Sequence, residues 1–510
     1  MKKILLLTGA FLAFVTLSIA QHIDRSKFVK DSLDNYVNQA LTNWQIPGAA
    51  VCIIKDGKVV VMKAYGVKEL GKPAKVDENT LFMIGSNTKA FTATAMAMLQ
   101  ADKKLSLDDK VTKYLPQFKL ENKQAGELAT VRDLLCHRLG LQTFQGDFTF
   151  YNTNLTRDQV IEKLGIVKAT YPFRAKWGYT NSAFLTAGQI IPVVTGKPWE
   201  TFLKENIFAP LGMSNTLALS ADMPKSFNRT VPHTLKDGKM IAIPYCQIDG
   251  LAPCGSISSS VNDLSKWVTA LLNNGKVGDK QVIPVAAINA TREAQDIVGS
   301  IHHLDGETNY ELYGLGWFIQ DYAGHRLVMH DGGVNGYVTS VTLVPDQNLG
   351  IIVLTNTDQN SFFDAMRWEI MDAYFNKQYR GYSEVRLARF KAQEAAEDAK
   401  DKKLRDSVAT NPKPALPAAS YTGKYINSLY GNMTVTQGTG NNLEMRFEHH
   451  PNMVAALQPL GGNKFYVTFS DPVLGKAVFP FYTFNGKVTG VRVKVADFVE
   501  VNPYEFKKVQ

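Results

Sequence analysis

The 510 residues are too many for one compact core and indicate two or three domains. Hydrophobic residues make up 45% and charged residues 20%, which is the balance of an ordinary globular protein and excludes a disordered or fibrous chain. The net charge is +9, from 56 Lys and Arg against 47 Asp and Glu, with no polybasic block that would favour binding to nucleic acid.

The chain opens on a pattern typical of an export signal. Two lysines precede a short apolar run over 4–17, which ends in small residues, with Ser18 and Ala20 three and one positions before a cleavage point. The run is short for a spanning helix, so an N-terminal membrane anchor is the weaker alternative. We therefore expect residues 1–20 to be a signal peptide cleaved near Ala20. The mature chain should be periplasmic or secreted, without a membrane span.

Residues 21–380 are predicted to form one α+β domain. The segment 46–67 is predicted to be a β-hairpin that turns at Asp56-Gly57, and 86–101 an Ala- and Met-rich buried helix. A long helix-and-loop region follows to about residue 300. Four strands and a helix come next, at Gly314–Gln320, Arg326–Met329, Tyr337–Val344, Leu349–Thr355 and 361–377. Strands at both ends of the domain predict a mostly antiparallel sheet flanked by helices.

The rest of the chain reads as a linker and a second domain. Residues 384–406 alternate in charge and predict a solvated helix, which ends before three closely spaced prolines. We expect 381–417 to be a charged helix and linker that few contacts cross. Residues 418–510 contain short alternating segments and an Asn-Gly turn signal at 485–486, which predict a small all-β sandwich or barrel.

Export permits disulfide bonds, and the sequence has four cysteines. Cys52 and Cys136 lie in or after apolar runs and are expected to be buried. Cys246 and Cys254 flank a loop that contains Gly and Pro, and their pairing stays open. No Cys-x-x-Cys or His-x-His pattern lies near them, so no metal site is predicted.

The first of three chemical motifs, Ser86-Asn87-Thr88-Lys89, opens the buried helix. Helix positions three apart lie on one face, so Lys89 is expected beside the Ser86 hydroxyl, where it could stabilise an alkoxide or accept a proton. The helix N-terminus adds a positive dipole end. Capping by Ser86 is the simpler alternative for such a tetrapeptide. A lysine on the first turn of a buried helix would, however, be costly to desolvate without a partner or a task.

The second motif is Tyr179-Thr180-Asn181, before another apolar helix. Its phenol could relay protons if a nearby lysine lowers its pKa, and the Asn181 amide could hold a substrate carbonyl. By itself the motif is also typical of a turn with a stacked aromatic ring.

The third motif is His330-Asp331-Gly332-Gly333, predicted at a strand end. Two glycines would let a substrate approach the backbone, and the N–H of Gly333 could point at an oxyanion. The alternative is a glycine-rich hairpin turn.

In order and spacing, these motifs resemble the serine β-lactamase and penicillin-binding-protein superfamily, whose template is Ser-x-x-Lys with Ser-Asp-Asn and Lys-Thr-Gly. Tyr179 takes the place of the second serine, as in class C β-lactamases. His330 takes the place of the second lysine, as in related esterases and D-amino-acid peptidases. The resemblance covers about 28–378. The tail at 418–510 is similar to a lipocalin-like domain appended to some of these hydrolases, which implies a role at the active site or in a homo-oligomer.

The resemblance implies a role for each motif residue. Ser86 would be the nucleophile, Lys89 its partner in proton transfer, and Tyr179 the general base toward Ser86 and the acid toward the leaving group. Substrate contacts are implied for three further residues, Asn181, His330 and Gly332. The N–H groups of Ser86 and Gly333 would form the oxyanion hole. This chemistry needs no metal and no organic cofactor.

We therefore predict an exported serine hydrolase that cleaves an amide or ester bond in a small molecule or peptide through a Ser86 acyl-enzyme. A neutral imidazole at His330 binds carboxylate less strongly than lysine, which favours a peptidase or esterase over an efficient β-lactamase. Since an unperturbed imidazole titrates near pH ~6.5, carboxylate-bearing substrates should bind better below that pH. The alternative is a penicillin-binding or sensor-like protein that is acylated without turnover.

The loop at 141–175 is expected to supply pocket walls. The candidates are its polar and aromatic side chains, Gln142, Phe144, Asp147, Phe148 and Tyr151.

Overall fold

Eight antiparallel strands form the central sheet in the computed structural model, which describes residues 27–300 and 308–509. The expected signal peptide at 1–20 lies outside the described residues. In spatial order the strands are Lys58–Gly66, Gly48–Lys55, Leu349–Thr355, Tyr337–Val344, His325–Val334, Phe318–Tyr322, Tyr310–Tyr313 and Asp296–Ser300. The N-terminal hairpin thus pairs with the last strand of the domain, which confirms the predicted α+β fold.

The predicted hairpin turn lies between the first two strands. Asp56 and Gly57 both have positive φ, at 53° and 74°, as a two-residue turn requires to match the strand twist. The strand Gly48–Lys55 then lies inside the sheet with nearly every residue buried. Such burial on both faces explains its continuous apolar sequence.

Helices cover both faces of the sheet. Ala50 and Cys52 face a core that contains the helix Thr88–Ala101, whereas Val51 and Ile53 face a second core with the helix Phe362–Tyr374. The remaining α-helices are Leu33–Asn43, Lys123–Leu128, Val131–Leu135, Arg157–Leu164, Asn181–Thr195, Trp199–Leu203, Ala209–Leu211, Ala252–Gly255, Val261–Leu272, Val285–Arg292, Tyr382–Ala409 and Ala418–Tyr421. No helix in the described ranges is long and apolar enough to cross a membrane.

Short elements complete the domain. The 3₁₀ turns are Gly85–Asn87, Val111–Lys113, Asp147–Thr149, Ser220–Lys225, Asp249–Leu251 and Pro345–Gln347, and the π-helical turns are Phe28–Ser32 and Lys204–Phe208. The two-stranded pairs are Phe82–Met83 with Ser258–Ser259, His233–Lys236 with Lys239–Ala242, and Lys276–Val277 with Lys280–Gln281.

The C-terminal domain is a closed eight-stranded barrel, the second of the two predicted alternatives. Its strands are Gly423–Asn427, Gly431–Gln437, Leu443–Phe447, His450–Pro459, Lys464–Phe469, Lys476–Phe484, Lys487–Val493 and Tyr504–Lys508. The first and last strands close the barrel through the pair Tyr425 and Lys508. Closure removes the unpaired edges that an open sheet of this size would expose.

One side chain of the α+β domain inserts among the buried aromatic rings of the barrel. Phe148 is 1% exposed and stacks on His450 with ring centroids 4.1 Å apart. Its ring also lies 5.4 Å from Tyr430 and 5.6 Å from Phe447. Phe148 was predicted to line the substrate pocket, and that prediction is wrong: its ring packs into the barrel.

Polar contacts fasten the same loop to the barrel. Tyr151 donates a hydrogen bond to Asp471 Oδ2 at 2.8 Å, and the His449 carbonyl accepts from Thr153 and from the N–H of Asn154, both at 3.0 Å. The expectation that few contacts cross the linker is therefore wrong. The contacting loop lies more than 200 residues before the linker, so composition near the boundary could not reveal it.

Phe148→Ala should lower the free energy of unfolding of the full chain by about 3–5 kcal/mol, because it removes a ring buried between the two domains. Thermal and urea unfolding of the two proteins would measure the change. Phe227→Ala is the matched control, since Phe227 is 102% exposed and should move stability by less than about 0.5 kcal/mol. Equal unfolding curves for Phe148→Ala and wild type would contradict the observed packing.

Candidate active site

Ser86 lies in the 3₁₀ turn Gly85–Asn87 that leads into the helix Thr88–Ala101. The N–H of Asn87 donates to the Ile84 carbonyl at 3.2 Å. Ser86 comes one residue earlier, at the start of the turn, where a backbone N–H has no acceptor within the helix and can face a ligand. Lys89 follows one turn later, and its Nζ donates to Ser86 Oγ at 3.1 Å. The structure thus brings together the two side chains that the first motif predicts to be neighbours.

The Lys89 ammonium is fully buried and held by groups from two other segments. It donates to Asn181 Oδ1 at 2.7 Å and to the Cys254 carbonyl at 3.1 Å. Burial opposes the charge, but the acidic groups of Cys254, Tyr179 and Asp147 outweigh it, so the pKa of Lys89 lies above its usual value. Lys89 therefore carries its proton at neutral pH in the resting site.

Tyr179 lies beside both members of the first motif. Lys89 Nζ is 4.6 Å from the centroid of its ring. Burial raises the pKa of the Tyr179 phenol, while the Lys89 charge and hydrogen bonding to Lys89 and Ser86 oppose the shift. The two groups are close enough to titrate as a coupled pair, and the resting pair holds both protons.

His137 packs against the Tyr179 ring and binds the backbone next to it. Its Nδ1 accepts from the N–H of Thr180 at 3.0 Å, and its ring lies 4.4 Å from that of Tyr179. Burial, with smaller contributions from Lys89 and His330, lowers the pKa of His137 well below its usual range, so the imidazole is neutral. Sequence reasoning gave this histidine no role, because it lies more than forty residues before the tyrosine.

Asn181 completes the second motif and has two partners. Its Oδ1 accepts from Lys89, and its Nδ2 donates to Asp147 Oδ2 at 2.6 Å. Asp147 was predicted only as a pocket wall, whereas the structure connects it to the motif. Its backbone N–H donates in turn to Glu500 of the barrel at 3.0 Å. No local signal in the sequence marks Glu500, which is 353 residues from Asp147.

His330 differs from the expectation. The strand His325–Val334 runs through the third motif, so His330 lies within a strand and is 2% exposed. Its Nδ1 donates to the Asp331 carbonyl at 2.6 Å, and its Nε2 accepts from the Tyr313 hydroxyl at 3.3 Å. Burial and then the Lys89 charge lower the pKa of His330 to about 3. The expected titration near pH ~6.5 is therefore wrong, because solvent no longer stabilises the imidazolium.

The two glycines of the third motif have different surroundings. A Cβ at Gly332 would lie 1.9 Å from the Ile84 carbonyl oxygen, so only glycine lets the strand approach the turn that contains Ser86 this closely. Gly333 is exposed, and a Cβ added at Gly85 would lie 2.9 Å from the backbone nitrogen of Gly333. The Gly333 backbone thus lies against the residue before Ser86. The oxyanion hole stays a prediction that this approach favours.

A cavity of about 550 Å³ opens over these residues. All of the motif residues with predicted substrate or oxyanion contacts line it: Ser86, Asn181, His330, Gly332 and Gly333. Aromatic rings form much of its wall, from Phe144, Phe150, Trp177, Phe318 and Phe363. The barrel contributes Val473, Phe498 and Val499. Within the described part of the chain, no Lys or Arg side chain lines it.

All four cysteines are free thiols, so the pairing that the sequence left open for Cys246 and Cys254 does not occur in this structure. Both are buried and line the cavity. Burial raises the pKa of Cys254 to about 12, and Cys246 shifts in the same direction. Neither thiol is an activated nucleophile.

Comparison with known proteins identifies the family. The beta-lactamase family model matches residues 33–375, more than half of the chain, so the chain belongs to the beta-lactamase family. A model for a domain of unknown function, DUF3471, matches 408–508. An unguisins hydrolase of Aspergillus campestris is 28% identical over 431 residues, which cover 80% of this chain and 78% of the relative.

Solved structures share the fold. The octameric penicillin-binding protein homologue from Pyrococcus abyssi matches with a TM-score of 0.58 at 22% identity, over 93% of this chain and 99% of that one. A D-stereospecific amidohydrolase from Streptomyces sp. matches with a TM-score of 0.54 at 21% identity, over 67% of this chain and 98% of that one.

A substrate that ends in a carboxylate and its matched carboxamide should show the same pH dependence of kcat/KM between pH 5.5 and 8. A histidine with a pKa of about 3 stays neutral throughout this range, so His330 contributes no titrating charge. Parallel kinetics on the two substrates, in wild type and in His330→Gln, would test this. A preference for the acid that grows as the pH falls, and that disappears in His330→Gln, would contradict the buried neutral imidazole.

Proposed function

We propose that this beta-lactamase-family hydrolase is an exported serine amidase or peptidase that acts through a Ser86 acyl-enzyme. The observation that carries the proposal is the hydrogen bond between Lys89 Nζ and Ser86 Oγ at 3.1 Å, with Tyr179 beside both groups. A hydroxyl next to a buried cation and a phenol is suited to attack on a carbonyl.

The proposed reaction begins when the Lys89–Tyr179 pair has lost one proton to solvent. Ser86 Oγ then attacks the carbonyl carbon and passes its proton to the Tyr179 phenolate. The Lys89 ammonium stabilises the negative charge on the Tyr179 and Ser86 oxygens during this transfer. The N–H groups of Ser86 and Gly333 hold the tetrahedral oxyanion. When the intermediate collapses, the bond to the leaving group breaks, and Tyr179 returns the proton to the departing amine or alcohol. Water then attacks the Ser86 ester by the same route.

The walls of the cavity favour a substrate that is apolar and uncharged near the scissile bond. Aromatic and aliphatic side chains can bury a hydrophobic acyl or amine group. A β-lactam or a peptide with a free C-terminus would place a carboxylate in a cavity whose described lining contains no Lys or Arg and whose His330 is neutral. An unpaired buried carboxylate is costly, so amides and esters without one fit better.

The relatives support amide cleavage in particular. One is named as a hydrolase of unguisins and another as a D-stereospecific amidohydrolase. We extend to this chain only the reaction class, and we propose amide substrates ahead of β-lactams. Export with removal of 1–20, and a homo-oligomer formed through the C-terminal domain, remain part of the proposal.

Ser86→Ala should lower hydrolysis of a neutral aminoacyl p-nitroanilide by more than about 10⁴-fold and abolish fluorophosphonate labelling, because the attacking oxygen is gone. The melting temperature should move by only a few degrees, since Lys89 keeps its bonds to Asn181 and Cys254. Ser407→Ala, on the exposed charged helix, is the control and should behave as wild type.

Two results would count against this proposal. Retained labelling in Ser86→Ala would show that another residue is the nucleophile. A wild-type label that forms on an ester substrate but never turns over would favour the sensor-like alternative.

The rate constant kcat/KM for a neutral amide should rise with pH between 6 and 9, approaching tenfold per pH unit on the acidic side. The pKa values of Lys89 and Tyr179 are both raised, so the form that has lost one proton is rare at pH 7 and grows as the pH increases. Initial rates corrected for the Ser86→Ala blank would measure the profile. A flat profile over this range would mean that proton loss from the pair is not required.

A further inference from the structure

We propose that Glu500, a residue of the barrel, is a positioning residue for the Lys89 ammonium and acts through Asp147 and Asn181. The inference rests on the proposed function for the roles of Ser86 and Lys89. It makes the active site complete only when the C-terminal domain is in place.

The first step joins the barrel to the hydrolase domain. Glu500 is fully buried, and its Oε2 accepts from the backbone N–H groups of Gly146 and Asp147. These amides open the 3₁₀ turn Asp147–Thr149, and Gly146 has no side chain with which to cap it. A carboxylate from the other domain therefore takes the capping role that a local Ser, Thr or Asp usually fills.

The second step leads from this turn to the catalytic lysine. Asp147 Oδ2 accepts from Asn181 Nδ2 at 2.6 Å, which directs the other end of the amide, Oδ1, at Lys89 Nζ. With the amide reversed, its NH₂ group would face the ammonium, where both groups are donors. Asp147 thus orients the Asn181 amide so that its oxygen points at Lys89, and Glu500 fixes the position of Asp147.

The distribution of charge supports the same chain of contacts. The carboxyl groups of Asp147 and Glu500 are both buried and interact, so ionising both of them is costly. Glu500 also accepts from the Tyr430 hydroxyl at 3.2 Å and from the N–H of Asn502 at 3.3 Å, so it is the better-stabilised anion. Burial and then the Glu500 charge raise the pKa of Asp147 well above its usual range.

The same loop has other contacts with the barrel. Tyr151 and Asn152 meet Asp471 of the barrel, at 2.8 Å and 3.4 Å. Asp471 is therefore a matched control: it is a barrel carboxylate that fastens the same loop but has no contact with Asp147 or Asn181.

The test compares Glu500→Ala, Glu500→Gln and Asp471→Ala as full-length proteins. For a neutral ester, Glu500→Ala should lower kcat by tenfold or more with KM within about twofold. Glu500→Gln should recover most of the loss, because one amide oxygen can accept from both N–H groups. Asp471→Ala should stay within about twofold of wild-type kcat. Melting temperatures identify any variant that does not fold.

A double-mutant cycle with Asp147→Ala separates positioning from a general loss of stability. If Glu500 acts through Asp147, Glu500→Ala should cost less than about twofold in the Asp147→Ala background, although it costs tenfold alone. Independent costs that multiply would overturn the proposal, and so would equal losses in Glu500→Ala and Asp471→Ala.

Hydrogen exchange distinguishes failure of this inference from failure of the proposed function. Amides at 146–149 and 180–183 should exchange faster in Glu500→Ala than in wild type, with no change in Asp471→Ala. This result needs no catalysis. An inactive, unlabelled wild type would overturn the proposed function, and unchanged exchange in Glu500→Ala would overturn the positioning role.

Discussion

The buried ammonium of Lys89 is the group around which the site is organised. A charge without solvent is tolerated only where hydrogen-bond acceptors replace the water. Here they are the Ser86 hydroxyl, the Asn181 amide oxygen and the Cys254 carbonyl, which come from three separate segments of the chain. The turn before the helix Thr88–Ala101, the start of the helix Asn181–Thr195 and the short helix Ala252–Gly255 must therefore meet at one point. The contact between Lys89 and Ser86 therefore depends on the packing of the hydrolase domain.

That requirement extends into the second domain. Asn181 presents its oxygen to the lysine because Asp147 binds its nitrogen, and Asp147 stands on a turn whose amides bind Glu500. One residue along, Phe148 stacks against the aromatic rings of the barrel. The barrel therefore serves the hydrolase domain in two ways, as a cover for a hydrophobic loop and as the source of a buried carboxylate. Its Phe498 and Val499 also reach the cavity wall.

The third motif shows how burial changes the chemistry that a residue type suggests. A histidine in place of lysine could have supplied a charge that appears below pH ~6.5. In the folded protein both nitrogens of His330 are engaged and its pKa is about 3, so the residue packs as a neutral ring beside Tyr313. The cavity then offers a substrate apolar walls and neutral hydrogen-bonding groups, with the positive charge of Lys89 kept next to Ser86.

Local periodicity determined much of this structure. The hairpin at 46–67, the buried helix after Ser86 and the β-rich tail follow from spacings that span only a few residues. The contact between Ser86 and Lys89 is set by helix geometry for any pair three apart. Only the tertiary structure decided the pKa of His330, the insertion of Phe148 into the barrel, and the contact of Glu500 with Asp147. Each depends on burial or on a partner hundreds of residues away, such as the 353 positions that separate Asp147 from Glu500. The energies of such contacts arise from desolvation in the assembled core. A pattern of neighbouring residues does not indicate which distant groups will be buried together there.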